Sequence, residues 1–249
     1  MQSNPTNLLR KIFGNHFNTI AGIASVAGII LFFIPTPSQA IVALVLVIVF
    51  LLLILFRIFW VTDRFLHYRS PTGYDKLATV VRYHTRDGKS IVYDIYKYLQ
   101  CKQLLMEKHT HKFHWTGSRP PTISSNTMEL VKVDDAPDGF KNAILKFKAP
   151  LVYNSLYLAH IRMLVDDSDK KAKPFISLNI PEVTQMITFR VDLLHVESMP
   201  DARLLRKNIS NLTGDFELLD NIPFDQRLRS YEHSIYYPST GYTYKLEWE

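Results

Sequence analysis

The sequence predicts a membrane-anchored all-β protein: an N-terminal two-helix transmembrane hairpin followed by a cytoplasmic domain built as a β-sandwich or small β-barrel. Three observations predict it. No charged residue lies between His16 and Arg57, a run far longer than the roughly 18 apolar residues that mark one membrane span. From Tyr74 onward apolar and polar residues alternate mostly with a period of two, and Asp-Gly turns punctuate the runs. The chain of 249 residues contains one cysteine, Cys101. No internal disulfide can therefore support the β-rich part, which favours a reducing compartment.

The elements follow in order. In residues 1–16, Leu8, Leu9, Ile12 and Phe13 recur at helical spacing with Arg10, Lys11 and Asn15 between them. That pattern fits either a short interfacial helix or the cytoplasmic end of the first span. Pro35-Thr36-Pro37-Ser38-Gln39 then divides the apolar run, because two prolines at the centre of a helix remove hydrogen bonds and clash with the preceding turn. The spans are expected at 17–34 and 40–60, about 27 Å and 31 Å long at 1.5 Å per residue. Residues 61–73 read as a helical stem ending in a break at Ser70-Pro71-Thr72-Gly73.

Arg10, Lys11, Arg57, Arg64 and Arg69 flank an uncharged interhelical loop, so the positive-inside rule places both termini in the cytoplasm of a bacterial inner membrane. Arg57 and Trp60 are the expected interface anchors, the arginine stem following the helix while its head reaches water. The Arg10-Lys11 start and Pro37-Ser38-Gln39-Ala40 loosely imitate a signal peptide, but the apolar run is long for one and a second span follows at once. In the first span Ala21/Ser25 and Ala24/Gly28 form a stripe of small residues that admits close helix approach. The stripe serves either self-association or packing against the second span within one molecule.

Residues 74–249 read as one β-rich domain of eight to eleven strands. Ala78 to His84 and Ser90 to Tyr98 flank Thr85-Arg86-Asp87-Gly88-Lys89 as a hairpin, and Ala136-Pro137-Asp138-Gly139 joins Met128–Val133 to Ala143–Lys148. Tyr157, Ala159, Ile161 and Met163 alternate with polar positions, as do Ile187, Phe189, Val191 and Leu193. Tyr242, Tyr244, Leu246 and Trp248 share one face of a last strand. Only Lys97–Lys108 and Pro200–Asn208 suggest helix.

No catalytic motif is evident. His109 and His111 would share a strand face at metal-binding spacing, but no Cys, Asp or third His joins them, so a polar strand or loop is expected and no metal or cofactor. Asp166-Asp167-Ser168-Asp169 lacks the glycine and terminal glutamate of a calcium loop and reads as a solvated hairpin turn. No phosphate-binding glycine loop or nucleophile elbow appears, and Cys101 has no evident histidine partner. Arg203, Arg206 and Lys207, with Arg227 and Arg229, form a candidate basic face for a nucleotide, nucleic acid or acidic protein. The Asn208-Ile209-Ser210 and Asn211-Leu212-Thr213 triplets would matter only in a secretory setting.

This layout, two short-looped helices before a cytoplasmic β-rich domain with no enzyme motif, resembles the two-transmembrane effectors of bacterial anti-phage systems, both CBASS-type and retron-type. The resemblance spans the chain in layout only, and no ligand contact transfers to a residue here. It implies a quiescent membrane protein whose β-domain detects a nucleotide signal or releases a cognate defence protein, after which the hairpins assemble and breach the bilayer in abortive infection. The alternative is a non-toxic membrane-anchored adaptor whose β-domain binds another protein or a nucleotide.

Overall fold

The computed structural model describes residues 38–136, 139–211 and 214–248. The expected first span at 17–34 and the interfacial segment 1–16 lie outside the described residues. The chain divides between Thr62 and Asp63 into two compact units. Mostly β-sheet, it carries one long apolar helix among the described residues.

That helix, α1 (Ser38–Arg69), begins directly after Pro37 and joins the expected second span to the expected stem without a break. The absence of Gly and Pro from Ser38 to Arg69 removes any reason for an interruption. Within its 26-residue Leu44–Arg69 stretch the most apolar 18-residue window has a mean hydropathy of 3.1, and none of that window is buried. The helix ends where Ser70 N–H donates to the Leu66 carbonyl and Pro71 forbids continuation. Gly73, at φ 81°, then turns the chain into the first strand, a backbone conformation glycine adopts without steric cost.

Thirteen strands follow among the described residues: β1 (Tyr74–Thr85), β2 (Ser90–Cys101), β3 (Leu105–Phe113), β4 (Thr122–Ser124), β5 (Met128–Asp135), β6 (Lys141–Val152), β7 (Leu156–Asp166), β8 (Phe175–Ile180), β9 (Thr184–Leu193), β10 (Ala202–Asn208), β11 (Glu217–Ile222), β12 (Ser230–Tyr236) and β13 (Tyr242–Glu247). Both Asp-Gly hairpins form where the sequence places them, β1 with β2 and β5 with β6. The two stretches expected as helix are strands. Lys97–Cys101 completes β2, Leu105 opens β3, and Ala202–Asn208 is β10. Helix-forming residue types prevailed locally in the sequence reading, but in the fold tertiary pairing decides.

Three sheets result, ordered β12-β9-β1-β2-β7-β4, β11-β10-β13-β8 and β3-β6-β5. Pairing is antiparallel except between β1 and β9, which lie side by side in parallel although almost a hundred residues separate them in sequence. Alternation drives the inner faces together: Val81, Ile91, Ile95, Ile161, Ile187, Phe189 and Val191 from the six-stranded sheet join Leu145 and Phe147 from the three-stranded one and Leu204, Leu246 and Trp248 from the four-stranded part in one core. Trp248 meets Tyr83 edge-on at 4.9 Å between ring centroids, while Lys97 of β2 meets His109 and His111 of β3. Both smaller sheets thus contact the same face of the six-stranded sheet. Its opposite face carries the polar members of the alternation.

Candidate functional site: a guanidinium-lined sheet face and a buried basic cluster

The opposite face is organised by register. Glu232, Arg190, Arg82, Asp94 and Arg162 are successive cross-strand partners on β12, β9, β1, β2 and β7, so five charged side chains lie in one row across the sheet. Like charges directly opposite one another are unfavourable in a sheet, and Arg82 faces Arg190. Asp192, two residues beyond Arg190, relieves that pair: its carboxylate accepts from Arg82 Nε at 2.5 Å and from Arg190 Nε at 2.9 Å. Arg190 also donates to Glu232 at 2.9 Å. Asp94 accepts from Arg162 Nε at 2.8 Å and its terminal nitrogen at 3.1 Å, and pairs with His160 Nε2 at 2.7 Å. Tyr96 stacks on the His160 ring at 4.7 Å.

The charges are layered. The side chains of Asp192 and Asp94 are 3% and 8% exposed, whereas those of Arg82, Arg162 and Arg190 are 42%, 41% and 34% exposed. The two aspartates lie at the level of the sheet with guanidinium groups above them, and three arginines reach solvent along this row beside the half-exposed Glu232 at its β12 end. Burial alone would push the Asp94 carboxyl up, but hydrogen bonds from Arg162 and His160 outweigh it and hold the group below its usual range. The hydrogen bond to Asp94 raises Arg162 further, and the one to Asp192 raises Arg190. A guanidinium fixed through Nε keeps terminal N–H donors in a planar fork, the geometry that suits phosphate or carboxylate oxygens. Rows of Tyr96, Val80 and Tyr98, Ala78, Leu158 flank the arginines on one side.

On the inner face of the same sheet, Lys97 Nζ lies 3.2 Å from His109 Nε2 and 3.1 Å from His111 Nδ1. All three residues are buried. His109 and His111 do share an inward face, as their spacing predicts. The group completing the cluster is a lysine from another sheet, not an acid. Among the described residues no group of three or more His, Cys, Asp or Glu side chains is arranged to hold a metal ion.

Residues singled out by the sequence lie elsewhere. Arg203, Arg206 and Lys207 are on β10 of the four-stranded sheet: Arg203 pairs with Glu247 at 2.9 Å, Arg206 with Glu217 at 2.8 Å and over the Tyr242 ring, and Lys207 lies over Phe216. Arg227 and Arg229 sit in the β11–β12 connection, Arg229 donating to the Leu194 carbonyl at 2.8 Å. Arg57 lies over the Trp60 ring at 4.9 Å on α1. Ala21, Ala24, Ser25 and Gly28 lie outside the described residues. The Asp166–Asp169 segment links β7 to β8 of a different sheet and is no hairpin turn. Asp167 is buried there and accepts from the Ala172 backbone N–H at 2.9 Å. Sequence reasoning missed Arg82, Asp94, Arg162 and Lys97. Their polar positions within alternating strands were visible, but the register that assembles them was not.

The sequence matches no protein-family model and no curated protein. Among solved structures, an M1 zinc metallopeptidase from Deinococcus radiodurans aligns over 70% of this chain at 8% identity and a TM-score of 0.37. The chain spans 42% of that enzyme's length. Baculovirus P35 aligns over 72% of this chain and 98% of its own at 9% identity and a TM-score of 0.39. These values assign no activity.

Proposed function

We propose that this chain is a membrane-embedded effector of bacterial anti-phage defence, in which the β-rich domain senses a signal or cognate partner and the N-terminal hairpin oligomerises to disrupt the inner membrane. The observation that carries the reading is the helix Leu44–Arg69, which is strongly apolar with none of its most apolar 18-residue window buried. A core helix of a soluble domain would hide such a surface, whereas a bilayer accepts it at no cost in exposed hydrocarbon. Both termini are cytoplasmic in this reading, which puts the β-domain where an intracellular signal arises. The row of Arg82, Arg162 and Arg190 supports a receiving surface for a phosphate-bearing signal such as a nucleotide, because each guanidinium is already oriented by a carboxylate. The β10 cations Arg203, Arg206 and Lys207 offer a second anionic contact.

The deciding experiment expresses the full chain, with its neighbouring genes, and the chain lacking residues 74–249, and follows membrane potential by dye during phage challenge. Depolarisation that depends on the hairpin and is restrained by the β-domain is expected. A non-toxic adaptor would leave the potential unchanged in both arms, and that result would remove the effector reading.

A further inference from the structure

The Lys97, His109 and His111 cluster has a hydrogen-bond pattern that limits how many protons it can hold. A lysine amine or ammonium can only donate to a pyridine-type ring nitrogen when that nitrogen carries no proton. The charged Lys97 ammonium has no acceptor, so with Nζ 3.2 Å from His109 Nε2 and 3.1 Å from His111 Nδ1 both rings accept and both are neutral while Lys97 carries its proton. Their protons then sit on His109 Nδ1 and His111 Nε2, and these two buried atoms have no hydrogen-bond partner. Any further proton must enter at a nitrogen already engaged by Lys97. It would break that bond and set a second cation against the first.

The surroundings give such a charge little relief. The register partners of His109 and His111 on β6 are Leu145 and Ala143, both fully buried. From β1, the Tyr74 ring packs edge-on against His109 at 5.1 Å, and Lys76 adds a like charge. Glu182, in the β8–β9 turn, is the opposing charge that reaches Lys97. Burial, and then the neighbouring Lys76, pushes Lys97 down to about 7, and burial followed by Lys97 holds both histidines well below their ordinary value.

We propose that this three-nitrogen cluster is a proton-operated latch on the seam between the six-stranded and three-stranded sheets, closed when both rings are neutral and released when a proton enters one of them. Lys97 stands on β2 and the rings on β3, so losing the Nζ contacts removes a buried polar tie that crosses the seam. Buried, densely packed interiors respond to such a change by switching arrangement rather than by bending gradually.

The sole cysteine reports on the seam directly. Cys101 lies on the Lys97 face of β2, is fully buried, and contacts the Leu151 carbonyl of β6 through Sγ at 3.8 Å. In the full chain in detergent micelles, labelling of Cys101 by dithiodipyridine is measured at pH 6.5 and pH 4, because both rings are held well below their ordinary value and stay neutral at the higher pH. Each rate is divided by that of the urea-unfolded chain at the same pH, which cancels the intrinsic reactivity of the thiol. The expected ratio rises at least tenfold on acidification in the wild type and stays flat in Lys97→Met. A double variant, His109→Gln with His111→Gln, retains acceptors for Nζ but cannot take the proton, and it should also stay flat. It decides the matter if Lys97→Met does not fold. A wild-type ratio unchanged by pH, or the same acid response in the glutamine variant, overturns the latch.

Discussion

Trp248 illustrates how much one aromatic side chain can hold. It is 4% exposed, packs edge-on against Tyr83 and directly follows β13, the strand that runs between β10 and β8. Truncating a buried tryptophan removes its transfer energy and leaves a cavity, which costs about 3–5 kcal/mol. Trp248→Ala should therefore lower the denaturation midpoint of the full chain in detergent sharply, and an unchanged midpoint would show that this contact is not part of the core. Asp94 tests the other face. Its carboxyl is held below the ordinary range, so the stability it contributes is fully present above the unfolded carboxyl pKa and is lost as pH falls through the folded one. Asp94→Asn should cost somewhat less at pH 7 than the about 1.5–3 kcal/mol typical of hydrogen bonds to a charged group, because Arg162 is partly solvated. The difference from wild type should narrow progressively as the melting pH is lowered below the ordinary carboxyl range. A cost that persists unchanged there would mean that shape, not charge, accounts for the position.

At the scale of elements, period-two alternation made the β1–β2 and β5–β6 hairpins, β7, β9 and β13 legible, because each is bounded by turn residues and all but the largely exposed β5 bury one face. Three features were hidden for different physical reasons. Lys97 sits in a stretch whose Lys, Gln, Leu, Met and Glu favour helix, and its burial depends on two histidines from another strand. The β1–β9 pairing joins segments that no local pattern connects, so the arginine row it helps create could not be assembled from spacing. The continuity of α1 through Arg69 was legible in part, since the break at Ser70-Pro71 was expected but not the fusion of span and stem. That helix carries its own prediction. A charged residue at the centre of a span costs about 2.5–3.5 kcal/mol of insertion, and Leu51 and Leu55 are both exposed on α1. Leu51→Arg with Leu55→Arg should prevent the second crossing and leave the first span as the only one. A phosphatase fused after Glu249 should then become active in the periplasm, while the same fusion to the wild type stays silent. An active wild-type fusion would refute the two-span topology itself.

For the whole molecule, an anchor and a sensor make sense together only if signals received by one part alter the other, and the two halves can be disabled separately. Arg82 donates through Nε to a buried Asp192, leaving its terminal nitrogens for a ligand, and its side chain is 42% exposed. Arg82→Gln should keep the chain inserted and its melting temperature within a few degrees, yet weaken binding of a phosphate-bearing signal about tenfold or more. Charge-assisted hydrogen bonds of 1.5–3 kcal/mol each support that scale. Gly28→Leu and Ala24→Leu act at the other end. Both raise hydrophobicity, so insertion should persist, but a bulky side chain on the small-residue stripe blocks the close approach on which helix packing in bilayers depends. These variants should bind the signal as wild type does and fail to depolarise the membrane. Under the proposed function triggering takes an infected cell with the neighbouring genes present, so both sets are compared there, by potential-sensitive dye and by survival after phage challenge. If the leucine variants depolarise as fast as wild type, the stripe is not the assembly surface. Full depolarisation by Arg82→Gln would move the receiving site away from the arginine row, toward the β10 cations Arg203, Arg206 and Lys207.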